Sequence, residues 1–250
     1  LLRATTAASP VVVAPSAVAF DRRPFLWREP PHPLLQHRQI ATLDHSAVFR
    51  SPTAGPLRLV VADHLVKGRI VFPATGYLEM ARAAYAATSS AAEGAALLRS
   101  VHFLSPLVVD EAAWVECSVL GGGSFEVRAD VGEDVCCSGQ VGAAAAAAGR
   151  EASMAAVRER CDLSSNAAAT LAVSALYDAF ATVGLQYGPA FRRVEAAWTG
   201  DGCAVGRLHR RRQRQGTKVH PADLDSALQL SVTLSRQRLD TLRLPFAVDA

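Results

Sequence analysis

The sequence predicts an α+β fold in which apolar helices lie on antiparallel strands, and three observations carry that prediction. Val115, Cys117 and Val119, then Phe125, Val127 and Ala129, alternate with polar residues, the period of a strand with one wet face. Tyr77, Met80, Ala81, Ala84 and Tyr85 recur at i, i+3, i+4, i+7 and i+8, one face of an amphipathic helix. A low-complexity stretch at Gly142–Gly149 divides the chain, and a second helix followed by strand patterns lies beyond it. An apolar helix laid on an antiparallel sheet is what burial of both apolar faces selects.

Leu1–Phe20 carries Pro, Ser and Ala with little periodicity and reads as a tail. Pro10 and Pro15 break its apolar run, which argues against a signal peptide. Leu43–Phe49 and Leu57–Ala62 read as strands separated by the turn-rich Ser51–Pro56. The apolar run Leu59–Ala62 leads to a single histidine, His64, with Gly68 and Pro73 after it. Pro73 suits a helix start, where its missing N–H costs nothing, and Gly68 permits positive φ or close backbone approach. The imidazole is therefore expected near the positive end of a buried helix. Ser89–Gly94 is a loop, and Pro106 interrupts a strand pattern running on to Val109. Gly121–Gly123 turns the two alternating strands into a hairpin, and Val135–Gln140 is a short third strand.

The second half opens with a helix over Ala167–Val183, with Leu176, Phe180 and Val183 on one face and Gly184 as an αL terminator. Gly188-Pro189 signals a turn, and Val194–Trp198 and Cys203–Leu208 are strands. The basic run Arg207–Arg214 reads as a solvated hairpin tip between two strands. A last helix places Leu224, Leu228, Val232, Ser235 and Leu239 on one face. Asp225 and Gln229 are i, i+4 neighbours on it, so the amide can hold the carboxyl.

Half of the 250 residues are hydrophobic and a fifth charged, the balance of a globular chain large enough for a real core. A net charge of +3 is too small to argue for nucleic acid, and the Arg210–Arg214 run lacks interleaved aromatics. The five cysteines show no CxxC pairing, so neither a zinc site nor a disulfide framework is indicated, and a reduced, cytoplasmic compartment is expected. No apolar run reaches the ~18 residues of a membrane span.

Taken alone, a lone histidine is more often a satisfied core residue than a catalytic one. What changes the balance is resemblance. His64-x3-Gly68-x4-Pro73 is similar to the HxxxGxxxxP motif of dehydratase domains in type I, modular polyketide synthases and related fatty acid synthases. His32-Pro33-Leu34-Leu35 resembles the HPLL that opens such domains, and Tyr187-Gly188-Pro189-Ala190-Phe191 resembles YGPxF. His220–Gln229 is similar to HPxLLDxxxQ, departing from it at Asp223, where the family carries an apolar residue. Leu244-Pro245-Phe246 is similar to a late strand of the family, and Phe20–Trp27 to the linker that leads into the dehydratase from the preceding domain, which implies a piece of a larger polypeptide.

The resemblance implies a double hot dog: two antiparallel sheets, each wrapped on a central helix and joined into one continuous sheet. Residues 1–31 would be the upstream synthase linker and 32–141 the N-terminal hot dog. Residues 142–160 would be the connecting linker and 161–250 the C-terminal hot dog. It further implies His64 as catalytic base and Asp225 as catalytic acid. Tyr187 and Gln229 would support Asp225 and the substrate hydroxyl, with Gly68, Pro73, Gly188 and Pro189 as supports; His32, His37, His45, His102, His209 and His220 would do no chemistry. The substrate would be a β-hydroxyacyl thioester on the phosphopantetheine of an acyl carrier protein. The domain itself would then need no cofactor and no metal, its partners would be that carrier and the neighbouring synthase domains, and relatives that pair suggest a homodimer.

Elementary chemistry fits these roles. An unperturbed imidazole, pKa about 6.5, is largely neutral at cytosolic pH and can take the proton α to a thioester. An aspartic acid can protonate the departing hydroxyl only if burial lifts its pKa from about 3.9. Backbone N–H groups at the start of the Tyr77 helix could polarise the carbonyl. Two alternatives remain open on the sequence: a catalytically silent dehydratase-like scaffold, and a cyclase, pyran-forming or double-bond-shifting relative using the same His/Asp pair.

Overall fold

The structure, a computed structural model, describes residues 32–39, 47–88, 96–131, 134–144, 172–200, 203–232 and 245–248. The expectations for 1–31, Ser89–Gly94 and most of the alanine-rich stretch lie outside the described residues. The elements in order are β1 (His37–Gln39), β2 (Ala47–Pro52), α1 (Pro56–Val61), β3 (His64–Val66), β4 (Arg69–Ile70), α2 (Ala74–Thr88) and β5 (Ala96–Phe103). Then come β6 (Trp114–Val119), β7 (Ser124–Ala129), β8 (Val135–Ala143), α3 (Val173–Thr182), β9 (Leu185–Tyr187), β10 (Val194–Gly200), β11 (Cys203–Leu208), α4 (Pro221–Ser231) and β12 (Ala247–Val248).

Strands β1-β2-β6-β7-β8-β5-β12 form one antiparallel sheet in that order. The hairpin read from the sequence is there, with Cys117 opposite Val127, and Val127 opposite Cys137 on β8. Their inward residues are buried, and α2 lies across them with Tyr77, Met80, Ala81 and Ala84 against the sheet. The alanines leave little side chain between helix and strands, so the helix axis can come close. A second apolar cluster, built from α3, β9, β10 and the segment around Phe191, packs around Phe180 and Tyr187. The fold is a double hot dog. Among the described residues the large sheet gains β12 from the far end of the chain, while β10–β11 is a ladder of its own.

The structure corrects the local reading in four places. Leu57–Ala62 is not a strand: Pro56 opens a short helix whose Leu57, Val60 and Val61 are buried while Leu59 is 70% exposed, a helical spacing that the continuous apolar run conceals. Pro106–Val109 makes only an isolated bridge, Val108 to Val71, because the segment turns away after pairing. The basic run starts in the last two residues of β11 and continues into the loop between β11 and α4, and is not a hairpin tip between strands. Arg211 reaches from it to the Asp223 carboxylate, which Arg193 also contacts, so the unexpected acid of the helical motif is neutralised in an ion-pair cluster.

The fourth correction concerns α4, which is buried on its polar side. Asp225, Ser226 and Gln229 are buried, whereas Leu224 and Leu228 are only partly so. Thr75 on α2 donates to the Pro221 carbonyl and Ser226 to that of Ala222. Here α4 packs on α2 on one side, while Ala222 and Leu230 join the apolar cluster beside β10 and β11.

Glu79 ties the front of the molecule together. It accepts from Arg82 (2.6 and 2.8 Å), from the Lys218 backbone N–H (2.7 Å) and from His32 Nε2 (3.1 Å). Burial works against its charge, but the Arg82 and His32 bonds outweigh it and hold its pKa at about 2. The carboxylate's stabilisation is therefore present above the unfolded pKa of 4.5 and is lost as pH falls toward 2. Glu79→Gln is expected to cost about 3 kcal/mol at pH 7 and to flatten the loss of stability between pH 4.5 and 2, measured by urea unfolding across that range.

Candidate active site

Strand β3 is shared between the halves: it pairs with β4 from its own half and with β9 from the other. In that register His64 stands opposite Tyr187. Lys67 and Gly68, both at positive φ (49° and 77°), form the two-residue turn into β4, the geometry that right-twisted hairpin strands favour. The Gly68 N–H donates to Gln186 of β9, and the Lys67 N–H to the Gly184 carbonyl. Gly68 thus shapes a junction between the halves. Pro73 ends the segment after β4, and its carbonyl accepts from Gly76 in the first turn of α2.

His64 is buried, its ring 5.6 Å from Tyr187 and 5.4 Å from Phe191. Its Nδ1 lies 2.7 Å from the Val71 carbonyl oxygen. A carbonyl can only accept, so Nδ1 carries a proton, and in the neutral ring it is Nε2 that holds the lone pair.

From the rear half, His220 caps α4: its Nδ1 accepts from the Ala222 N–H and its Nε2 donates to Gln215. Burial, with Arg211 nearby, lowers its pKa to about 4, so it is neutral and structural. One turn later Asp225 is 5% exposed. Burial raises its pKa, against the charge of His64 and the hydrogen bonds from Gln229 and Tyr187. Gln229 Nε2 donates to Asp225 Oδ2 (2.9 Å) and to the Phe191 carbonyl (3.2 Å), and its Oε1 accepts from the Tyr177 hydroxyl (3.1 Å). Burial raises the Tyr187 phenol as well, and the nearby Asp225 carboxyl adds to that.

The Gly188–Phe191 turn is clamped from the front half. Gly188 N–H donates to the Asp63 carbonyl (2.7 Å) and Ala190 N–H to the Asp63 carboxylate (2.6 Å). A Cβ on Gly188 would lie 2.5 Å from Asp63 Cγ, so close approach is what this glycine supplies.

His64, Asp225, Tyr187 and Gln229 all line one cavity of about 490 Å³. Its remaining walls include Val71, Phe72, Phe180 and Leu185, and it reaches Leu104 and Phe246, both exposed. The structure thus brings together the four polar residues singled out in the sequence. Gly68, Pro73, Gly188 and Pro189 shape the segments behind them. Sequence reasoning missed Asp63 and Tyr177: the first adjoins His64 in the chain, and the second lies one residue from Leu176 on the helical face of Phe180. Neither carries a spacing signal of its own.

Two family models match, one described as polyketide synthase dehydratase domain over residues 32–130, the other as polyketide synthase dehydratase N-terminal domain over residues 155–250. The chain belongs to the polyketide synthase dehydratase family. It is 36% identical over 201 residues to polyketide synthase ThaG of Burkholderia thailandensis, a match spanning 74% of this chain and 3% of that protein's length. The dehydratase domain from the CurF module of the curacin polyketide synthase superposes with a TM-score of 0.77 at 23% identity, covering 88% of this chain and 82% of that one. Two solved structures of the CurK dehydratase, described as inactive mutants, replace a histidine by phenylalanine and an aspartate by asparagine. They superpose with TM-scores of 0.72 and 0.73 at 22% identity, each covering 87% of this chain and 80% of the other.

Gly188→Ala forces Asp63 and the dehydratase's central turn apart. It is expected to lower stability by ~1–3 kcal/mol, seen as a reduced urea midpoint at unchanged slope.

Proposed function

We propose that His64 and Asp225 of this domain remove water from a β-hydroxyacyl thioester presented on the phosphopantetheine arm of an acyl carrier protein within a polyketide synthase. The observation that carries this reading is that a histidine with a free Nε2 and a buried aspartic acid, from opposite halves of the chain, line the same apolar cavity. The two CurK variants described as inactive replace the same two residue types, which supports it.

In this scheme His64 Nε2 takes the proton from the substrate's Cα, and that electron pair becomes the Cα–Cβ double bond. The Cβ–O bond breaks, and the Asp225 proton passes to the departing hydroxyl, which leaves as water. Burial raises the pKa of the aspartic acid and so favours its protonated form, and once the proton is gone, Gln229 and Tyr187 donate to the carboxylate it leaves. Ala74, in the first turn of α2, lines the cavity; first-turn N–H groups have no partner within their helix and can stabilise the enolate-like charge on the thioester oxygen. The apolar walls suit an acyl chain. No step in this scheme calls on a cofactor or metal of the domain's own; the pantetheine belongs to the carrier.

The division into an N-terminal hot dog bearing the base and a C-terminal one bearing the acid follows the same reading, with 1–31 and 142–160 as linkers and a cytoplasmic setting beside other synthase domains. The described strand β8 runs to Ala143, so the structured part of the first half reaches slightly past 141.

Incubation with a 3-hydroxyacyl-pantetheine thioester should give a product lighter by one water in the mass spectrum. His64→Ala and Asp225→Asn should each reduce turnover by at least about 10³-fold, since a positioned acid or base contributes ~10²–10⁴. Turnover that survives both substitutions overturns the assignment. The rate should fall on the alkaline side as Asp225 loses its proton, from above the ordinary carboxylate range because burial raises its pKa.

A further inference from the structure

The Gln229 amide is wedged between two backbone groups whose polarity cannot reverse. On one side the Phe191 carbonyl can only accept, and Gln229 Nε2 stands 3.2 Å from it. On the other side the Val194 N–H can only donate, and it donates to the Tyr177 hydroxyl oxygen at 3.3 Å. The hydroxyl oxygen accepts there, and its one proton is donated to Gln229 Oε1 at 3.1 Å. The Phe191 carbonyl selects the amide orientation and the Tyr177 hydroxyl, oriented with its oxygen toward Val194, reinforces it, with the NH₂ toward Asp225 Oδ2 at 2.9 Å. A flipped amide would set oxygen against the Phe191 carbonyl and NH₂ against the Tyr177 proton.

We infer that Tyr177 is a positioning residue for the proposed dehydration: relaying the fixed polarity of the Val194 N–H, its hydroxyl locks the Gln229 amide so that an N–H always faces Asp225 Oδ2, which leaves Oδ1 to carry the transferable proton. The inference rests on the assignment of Asp225 as the acid. Tyr177 touches neither substrate nor Asp225 directly and acts through Gln229. Its ring is held in place by Phe180, at 6.4 Å, and lies beneath the Arg192 guanidinium, at 5.3 Å. Facing Asp225 are His64 from β3, Tyr187 from β9 and, through Gln229, Tyr177 from α3; Arg192 and Arg193 flank Tyr177 from the segment before β10.

A donor aimed at a carboxyl favours its ionised form. Loosening Gln229 removes that preference, so the Asp225 proton is held to higher pH while its transfer is less well supported. Tyr177→Phe is therefore expected to lower the plateau kcat about tenfold with KM within about twofold, and to move the alkaline limb of kcat to higher pH. A residue that served only the packing of α3 would lower stability or kcat and leave that limb in place.

The decisive measurement does not need turnover. The ¹³C carboxyl resonance of Asp225, assigned by its loss in Asp225→Asn, is titrated in the unmodified domain and in Tyr177→Phe, and an upward displacement is expected. If Tyr177→Phe does not fold, difluorotyrosine at position 177 keeps the shape and strengthens the donor, and displacement in the opposite sense is expected. Tyr177→Phe should also add nothing to the effect of Gln229→Ala in the double variant. An Asp225 titration that does not move in the folded variant, or full additivity in the double variant, overturns the positioning role. Displacement of the titration in a domain that turns over no hydroxyacyl thioester keeps the amide lock and overturns the dehydratase assignment instead.

Discussion

The short antiparallel pairing of His64–Val66 with Leu185–Tyr187 is the constraint on which the rest depends. The strands contribute three residues each, yet they join the two halves at the position where chemistry is needed. Register decides the outcome, because a slip of one residue would send every side chain of a strand to its other face. Several contacts fix it. Gln186 accepts from Gly68, Gly184 accepts from Lys67, and Asp63 holds both Gly188 and Ala190. So short a ladder would be marginal alone; flanked by these bonds and by Phe180 and Phe191, it holds an imidazole opposite a phenol.

The site's principal polar members were legible in the sequence through their resemblance to the family's motifs, whose local spacings they match. His64, Gly68 and Pro73 lie along one short hairpin that leads into α2, and Asp225 and Gln229 share one helical face. The long-range partners were not legible. Asp63 and Tyr177 act on segments 127 and 52 residues away in sequence, and nothing in their neighbours encodes that. The fold was readable where period-2 alternation was clean, as in β6 and β7, and misread where apolar residues run together. Leu57–Val61 offers both a strand and a helix, and only Pro56 and the exposure of Leu59 decide.

The reversed helix α4 shows why pattern reading fails at a site. A helix in a core buries its apolar stripe, and by that rule Leu224 and Leu228 should face inward. Instead Asp225, Ser226 and Gln229 are buried beside Ala222 and Leu230, and each polar group has partners: Ala222 for the serine, Gln229 for the aspartic acid, and Tyr177 with Phe191 for the amide. Burial of polar groups without such partners would be prohibitive. The departure from amphipathic order is therefore itself a mark of function, and it coincides with the cavity.

The orientations of His64 and of the Gln229 amide beside Asp225 trace to main-chain atoms. The Val71 carbonyl sets the tautomer of His64, while the Phe191 carbonyl and the Val194 N–H set the polarity of Gln229 and through it that of Asp225. Side-chain hydroxyls, amides and imidazoles can each exchange donor for acceptor, so a network made only of them has several arrangements of nearly equal energy. A backbone carbonyl or N–H cannot exchange roles. Anchoring both ends of the network to such groups favours one arrangement, with the His64 Nδ1–H on the Val71 carbonyl and an N–H of Gln229 on Asp225 Oδ2. In the proposed dehydration, His64 Nε2 and Asp225 Oδ1 are then the atoms left to exchange protons with the substrate, without prior rearrangement of the site.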